Sequence, residues 1–319
     1  MSDVVPVRFS LASLRPLPHG LLTHTRHAFA QFFGHAAETT LRSPLFTRSF
    51  TTTAPLPDDL DEVRSRLRGP AIALGVDCAL LTGPLAAHGP RMVVTDVDST
   101  FIRGEVIEML AAAAGTASMV REVTARAMRG ELDFAQSLRE RVATLSGLPD
   151  SVFSDVAAAV ELTAGAADTV RAIHTRGGYF GLVSGGFHEV VDRVAEPLGI
   201  DKVLANRLEV SKGILTGHTR GPVIDRAAKA EALAAWADEF AIPLEQVVAV
   251  GDGANDLDMM RIAGLSVAFC AKPVVLEEAD AAITVPRLDM LLTLLGWDTD
   301  SAESSSSSSS STSRDTRTE

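Results

Sequence analysis

Met92-Val93-Val94-Thr95-Asp96-Val97-Asp98-Ser99-Thr100 is the stretch on which the reading of this chain turns. An apolar run of strand length leads straight into two acids spaced i, i+2. In an extended backbone both carboxylates then face the same side. The pattern repeats far downstream, where Val247-Val248-Ala249-Val250 leads into Gly251-Asp252-Gly253-Ala254-Asn255-Asp256. Burying an unpaired carboxylate costs several kcal/mol, so acids that end apolar strands imply a cation between them, a shared proton, or both. In open α/β sheets ligands bind beyond the carboxyl ends of the strands, and both clusters fall there.

Outward from these two anchors, apolar strand-length runs at Met92–Val94, Tyr179–Val183, Val203–Ala205, Val247–Val250, Val267–Phe269 and Ala282–Val285 alternate with helix-length amphipathic stretches. That alternation predicts a doubly wound, parallel, Rossmann-like sheet over residues 91–300. Arg207–Val210, Ser211-Lys212-Gly213 and Ile214–Gly217 read as a small hairpin inserted into it. The segment between the first two strands is too long for a single crossover helix. It reads as helices at Val106–Ala113, Ala117–Arg129, Phe134–Leu145 and Ser151–Val160, a helical cap at about 104–165 placed over the strand ends. Such caps exclude water from the chemistry beneath them.

Residues 1–90 carry no comparable acid cluster and read as a small α/β domain. Its expected elements are strands at Val5–Leu11, Leu45–Thr51 and Ile72–Leu81, an amphipathic stretch at His24–His35 and a helix at Leu60–Leu67. His24 and His27 could share a helical face, but no third ligand is evident, and solvated or packed histidines account for them. Residues 301–319 include the serine run Ser304–Ser311, which cannot bury enough apolar area to offset its ordering entropy and is expected to be a disordered tail.

The net charge of -12 over 319 residues argues against a broad nucleic-acid or anionic-membrane surface, so any phosphate site must be local. Only Cys78 and Cys270 are present, far apart in sequence, which supports neither a disulfide framework nor a zinc knuckle. No apolar run is long enough to span a membrane and no signal stretch follows Met1, so a cytoplasmic enzyme is expected. The chain has four lysines, Lys202, Lys212, Lys229 and Lys272, so a lysine at a motif position stands out.

Four elements occur in one order: Asp96-x-Asp98-x-Thr100, Ser184-Gly185-Gly186 after a strand, Lys229 on a helix, and Gly251-Asp252-Gly253-x-Asn255-Asp256 after another strand. This arrangement resembles the haloacid-dehalogenase-like hydrolases. Gly104-Glu105-Val106-Ile107-Glu108, the stretch from Met128 to Arg141, and Val267-Ala268-Phe269-Cys270-Ala271-Lys272-Pro273 further resemble the phosphoserine phosphatases of that superfamily. Val106 stands where those relatives commonly carry Cys, a conservative apolar change. The N-terminal segment is similar to the amino-acid-sensing, ACT-like domains that some relatives carry, which implies regulation.

The resemblance implies a magnesium-dependent phosphoserine phosphatase (EC 3.1.3.3) that hydrolyses O-phosphoserine in the last step of L-serine biosynthesis. Asp96 is then the nucleophile, forming an aspartyl-phosphate, and Asp98 the acid and base. Magnesium is held by Asp96, the Asp98 carbonyl and Asp252, with Asp256 supporting them through water or Lys229. Ser184, Gly185, Gly186, Lys229 and Asn255 bind phosphate. On the helix from Phe134, the spacing places Phe134, Leu138 and Arg141 on one face. There Arg141 suits a substrate carboxylate or a snorkelling surface position. Glu105 suits the substrate ammonium or a helix N-terminal acid. Met128 and Phe134 read equally as shields of the site or as cap core. The alternative activity is on another small amino-alcohol phosphate, phosphohomoserine or phosphoethanolamine. A third reading is a ligand-sensing protein on a degenerate hydrolase scaffold, against which the retained aspartates and Lys229 argue. No nucleic-acid or membrane partner is expected, and oligomeric state stays open, with a homodimer one candidate.

Overall fold

The computed structural model describes residues 4–299, apart from the side chain of Met128; the serine-rich stretch read as a tail lies outside them. The first elements are β1 (Val4–Ser13), α1 (His19–Phe33), β2 (Ala37–Thr39), β3 (Phe46–Pro55), α2 (Leu60–Ala73), β4 (Asp77–Thr82) and α3 (Gly83–His88). Next come β5 (Met92–Asp96), α4 (Val106–Ala113), α5 (Ala117–Met128), α6 (Phe134–Ala143), α7 (Val152–Ala159), α8 (Ala166–Thr175), β6 (Tyr179–Phe187) and α9 (His188–Ala195). The remainder is β7 (Lys202–Ser211), β8 (Ile214–Arg220), α10 (Arg226–Glu239), β9 (Val247–Gly251), α11 (Leu257–Ile262), β10 (Leu265–Phe269), α12 (Pro273–Glu278), β11 (Ala281–Ile283) and α13 (Met290–Leu294).

All described strands belong to one 11-stranded sheet in the order β2-β3-β1-β4-β11-β10-β9-β5-β6-β7-β8. From β11 to β7 the pairs are parallel. Of these, β5, β9, β10 and β11 are buried along their whole length because both faces are covered. Val93, Val248 and Val250 pack in the core shared with the cap, α8 and α9. Met92, Val94 and Ala249 point the other way, into the core under α10, α11 and α12. From β5 the chain winds outward through β6 and β7, then returns to place β9 on the other flank of β5. The carboxyl ends of β5 and β9 therefore flank the point where winding reverses, the crevice where α/β sheets bind ligands.

The segment read as an N-terminal domain forms the antiparallel order β2-β3-β1-β4, with α1 and α2 over a core of their own. Its sheet does not end at β4. The Cys78–Ala282 pair joins β4 to β11, and both sheets run on as one. Three sequence expectations shift in detail. Ile72 belongs to α2, because the helix continues through Pro70 to Ala73 before Gly75 turns the chain at φ +67°. Val203–Ala205 and Arg207–Val210 are not strand and separate hairpin arm but one long strand, β7, whose first half pairs with β6 and whose second half pairs with β8. The last strand ends at Ile283, and Thr284 turns its polar groups to Asp77 instead.

Helices α4 to α7 lie between β5 and β6 in the chain and form the cap. Asp133 and Gln136 build a reciprocal capping box at the start of α6, which fixes where that helix begins. At the start of α4 the free N–H of Val106 is taken by the carboxylate of Asp98, 2.8 Å away. One of the strand-end acids thus anchors the cap.

Candidate active site

Asp96 ends β5 and is almost wholly buried. Lys229 reaches it from α10, itself only 1% exposed, and donates from Nζ to Asp96 Oδ1 at 2.5 Å and to Asp256 Oδ1 at 2.7 Å. The other oxygen of Asp256 accepts the Gly253 N–H at 3.1 Å. Gly251 has to be glycine here, since a Cβ would overlap the Asp256 side chain. Burial pulls the Lys229 ammonium down, but the charges and hydrogen bonds of Asp96 and Asp256 outweigh that and hold it above its ordinary value. Burial pushes Asp96 well up despite Lys229, with Asp256 and Asp98 adding to the rise. Asp252, at the end of β9, is raised chiefly by burial and then by Asp256.

Carboxylate oxygens of Asp96, Asp252 and Asp256 all lie within 4.8 Å of one another. Three acids thus face a single ammonium, an excess of two negative charges in a largely buried space. A divalent ion with oxygen preference fits both the donor set and the charge. These residues could hold a metal.

Asp98 follows in a tight turn in which Ser99 adopts a left-handed φ of +60° and donates its N–H to the Gly104 carbonyl at 3.0 Å. Positive φ is uncommon outside glycine, so this turn is held by its surroundings. The Asp98 carboxylate accepts from Val106 N–H through one oxygen and from Ser184 Oγ through the other, at 3.1 Å. Burial raises its pKa, and those two hydrogen bonds, with Lys229 and Arg141, oppose the rise. Ser184 also accepts the N–H of Gly186 at 2.7 Å. It is fully buried, so its hydroxyl is engaged within the protein while Gly185 and Gly186 face the open space.

That space is a cavity of about 190 Å³ lined by Asp96, Asp98, Asp252 and Asn255 on the sheet side and by Glu105, Phe134 and Arg141 from the cap side. Leu138 lies with Phe134 and Arg141 along it, so one face of α6 does look inward. A Cβ on Gly185 would come within 3.3 Å of the Phe134 ring. Arg141 donates from Nε to the Ser137 carbonyl at 3.3 Å. Burial lowers its pKa, against the pull of Glu105, Asp98 and Glu108. Burial raises Glu105, with Asp98 and Glu108 in the same sense. Met128 closes α5, but its side chain is outside the described residues.

Lys272 and Asn206 stand at the site beyond the sequence-derived set. Lys272 lines the cavity, a position its rarity in a chain with four lysines could have flagged. Asn206, from β7, is buried beneath the Ser184-Gly185-Gly186 turn, donating to the Gly185 carbonyl at 2.9 Å and accepting the Ile224 N–H at 2.8 Å. Nothing local in the sequence marks it.

A family model described as haloacid dehalogenase-like hydrolase matches residues 93–261. The chain is 52% identical over 221 residues to a phosphoserine phosphatase of Mycobacterium tuberculosis, covering 69% of this chain and 54% of that protein. It is 51% identical over 204 residues to a phosphoserine phosphatase of Streptococcus thermophilus, covering 64% of this chain and 95% of that one. The chain thus spans about half the length of the first relative and nearly all of the second. The fold matches a crystal structure of a hydrolase of the same family from Salmonella enterica serovar Typhi with a TM-score of 0.77 at 26% identity, over 92% of this chain and 98% of that one. With the two strand-end acid clusters, the buried lysine and the family match in agreement, the chain belongs to the haloacid dehalogenase-like hydrolases.

Proposed function

We propose that this protein is a magnesium-dependent phosphoserine phosphatase that hydrolyses O-phosphoserine to serine and phosphate, the last step of L-serine biosynthesis. The observation that carries this reading is one small cavity with the Asp96, Asp252 and Lys229 cluster at one end and an acid and an arginine, Glu105 and Arg141, presented by the cap. Its size suits a small ester. The relatives named phosphoserine phosphatase support it further.

In this mechanism Asp96 attacks phosphorus in line and the bond to the seryl oxygen breaks, leaving an aspartyl-phosphate. Asp98 enters protonated, as its burial favours, and gives its proton to the departing oxygen. It then takes a proton from the water that cleaves the aspartyl-phosphate, and phosphate leaves with Asp96 restored. Lys229 favours the ionised form of Asp96 in a site whose burial opposes that charge. Asp96, Asp252 and the Asp98 carbonyl, with Asp256 in support, would hold magnesium, which would supply electrostatic neutralisation of the phosphoryl group. The backbone of Gly185 and Gly186, with Asn255, receives phosphate oxygens. Arg141 takes the carboxylate of the substrate and Glu105 its ammonium, while Phe134 closes over it.

Phosphate release measured with and without magnesium on phosphoserine, phosphohomoserine, phosphoethanolamine and phosphoglycolate tests the reading. Phosphoserine is expected to lead. A larger kcat/KM on phosphoethanolamine, which lacks a carboxylate, would overturn the substrate assignment.

A further inference from the structure

Four acids, Asp96, Asp98, Glu105 and Asp252, line the cavity together with two cations, Arg141 and Lys272. Lys229 lies behind them, committed to Asp96 and Asp256. A phosphate monoester entering this space brings further negative charge, so the cations that face it carry much of its attraction. Arg141 belongs to the cap. Lys272 comes from the opposite side, at the turn between β10 and α12, where its N–H donates to the Asp252 carbonyl at 3.2 Å. It lines the same cavity as the cap acid Glu105 and the strand-end acid Asp252, and its charge opposes the rise in both their pKa values.

The position of Lys272 depends on α12, a helix of one and a half turns. The Lys272 carbonyl accepts the N–H groups of Val275 and Leu276, so residue and helix move together. Val275 seats the helix in the core. At the other end the carbonyls of Leu276 and Ala279 are held by Arg68 of α2, each by one guanidinium nitrogen at 2.5 Å. A crevice of about 610 Å³ runs between α2 and α12, and this fork of hydrogen bonds spans it beside the Arg64–Asp280 ion pair at 3.0 Å. A planar guanidinium can grip two carbonyls at once, which a lysine cannot match.

We infer that Lys272 is a further anion-contacting residue of the catalytic cavity, and that Arg68, on the N-terminal half of the molecule, is a positioning residue that holds it there through α12. This rests on the phosphatase reading only for the identity of the anion. The N-terminal half thereby becomes part of what shapes substrate affinity.

The test is a double-mutant cycle in the full chain with magnesium, using Lys272→Met, Arg68→Gln and the pair, and Arg68→Lys as the conservative variant. Lys272→Met is expected to raise KM for phosphoserine roughly tenfold with a smaller change in kcat, as loss of a charge contact made in ground and transition states does. Arg68→Gln should raise KM several-fold, Arg68→Lys less, and the double variant should be no worse than Lys272→Met. The same ordering is expected in the dissociation constant of inorganic phosphate by calorimetry, which needs no turnover. Additive losses in the double variant would overturn the coupling, and an unchanged phosphate affinity in Lys272→Met would overturn the contact. Should the wild type bind phosphate but not hydrolyse phosphoserine, the proposed substrate falls while calorimetry still decides the role of Lys272. Melting temperatures of the variants guard against misfolding, and Arg68→Lys remains informative if Arg68→Gln unfolds.

Discussion

Asp96 lies where burial disfavours its ionised form, and Lys229 opposes that effect without cancelling it. Asp96→Asn is expected to abolish phosphate release, because an amide is no nucleophile toward phosphorus. It should not unfold the protein, since Lys229 keeps Asp256 and the variant removes one of three crowded acids. Calorimetric melting in metal-free buffer checks this, and a fall of more than about 5 °C would show that the Asp96–Lys229 pair carries the fold. Arg141 makes a second prediction. Arg141→Ala should weaken kcat/KM for phosphoserine by about 2–4 kcal/mol, the cost of leaving a desolvated carboxylate without its partner, while phosphoethanolamine hydrolysis hardly changes. Equal losses on both substrates would make Arg141 a structural residue of the cap. The meeting of Asp96, Asp98 and Asp252 at one cavity was legible because acids at the ends of apolar runs are a local pattern. The bond from Ser184 Oγ to Asp98 and the place of Asn206 were not, because each joins residues brought together from separate strands and turns.

Helix α6 shows how an element lines one wall of the cavity. Its inward face holds Phe134, Leu138 and Arg141, and the capping box of Asp133 and Gln136 fixes its first turn immediately before Phe134. Asp133→Ala should destabilise the protein by about 1 kcal/mol through the lost N-cap. It should also raise KM for phosphoserine more than it lowers kcat, because the first turn carries the ring that meets Gly185. A variant with the expected loss of stability but unaltered KM would show that the cap keeps its geometry without that box. The inward face of α6 was legible from its period. The start of α4 at Val106 was legible too, but the partner of its first N–H was not, since that is Asp98, on the far side of the turn after β5.

For the molecule as a whole, the seam between β4 and β11 is the feature with the largest consequence. A single residue pair joins the strands, and the buried carboxylate of Asp77 reinforces it by accepting the Thr284 N–H and, at 2.8 Å, the Thr284 hydroxyl. Burial pushes Asp77 up to about 6 from 3.8, with the Thr284 hydrogen bonds opposing the rise. A carboxyl whose folded pKa is raised stabilises the fold fully below its unfolded pKa and loses that contribution as pH rises through the folded value. Between about pH 4 and pH 6 the wild type should therefore lose about 2 kcal/mol relative to Asp77→Asn, which has no such titration. Urea unfolding of both proteins across that interval measures the difference, and parallel pH profiles would show that Asp77 is not buried as described. Among the described residues no helix is long and apolar enough to cross a membrane.

The sequence by itself determined the winding of the parallel sheet, the position of its two acid clusters, the helical insertion and the lysine that serves them. Each of these is written in local periods and in the residues that follow an apolar run. Tertiary structure alone decided that both halves share one sheet, that Asp98 holds the cap, and that α12 links Arg68 to Lys272. The physical reason is the same in each case. These contacts join residues far apart in the chain through one or two hydrogen bonds or a single strand pair, and such contacts impose no period on the sequence from which they could be read.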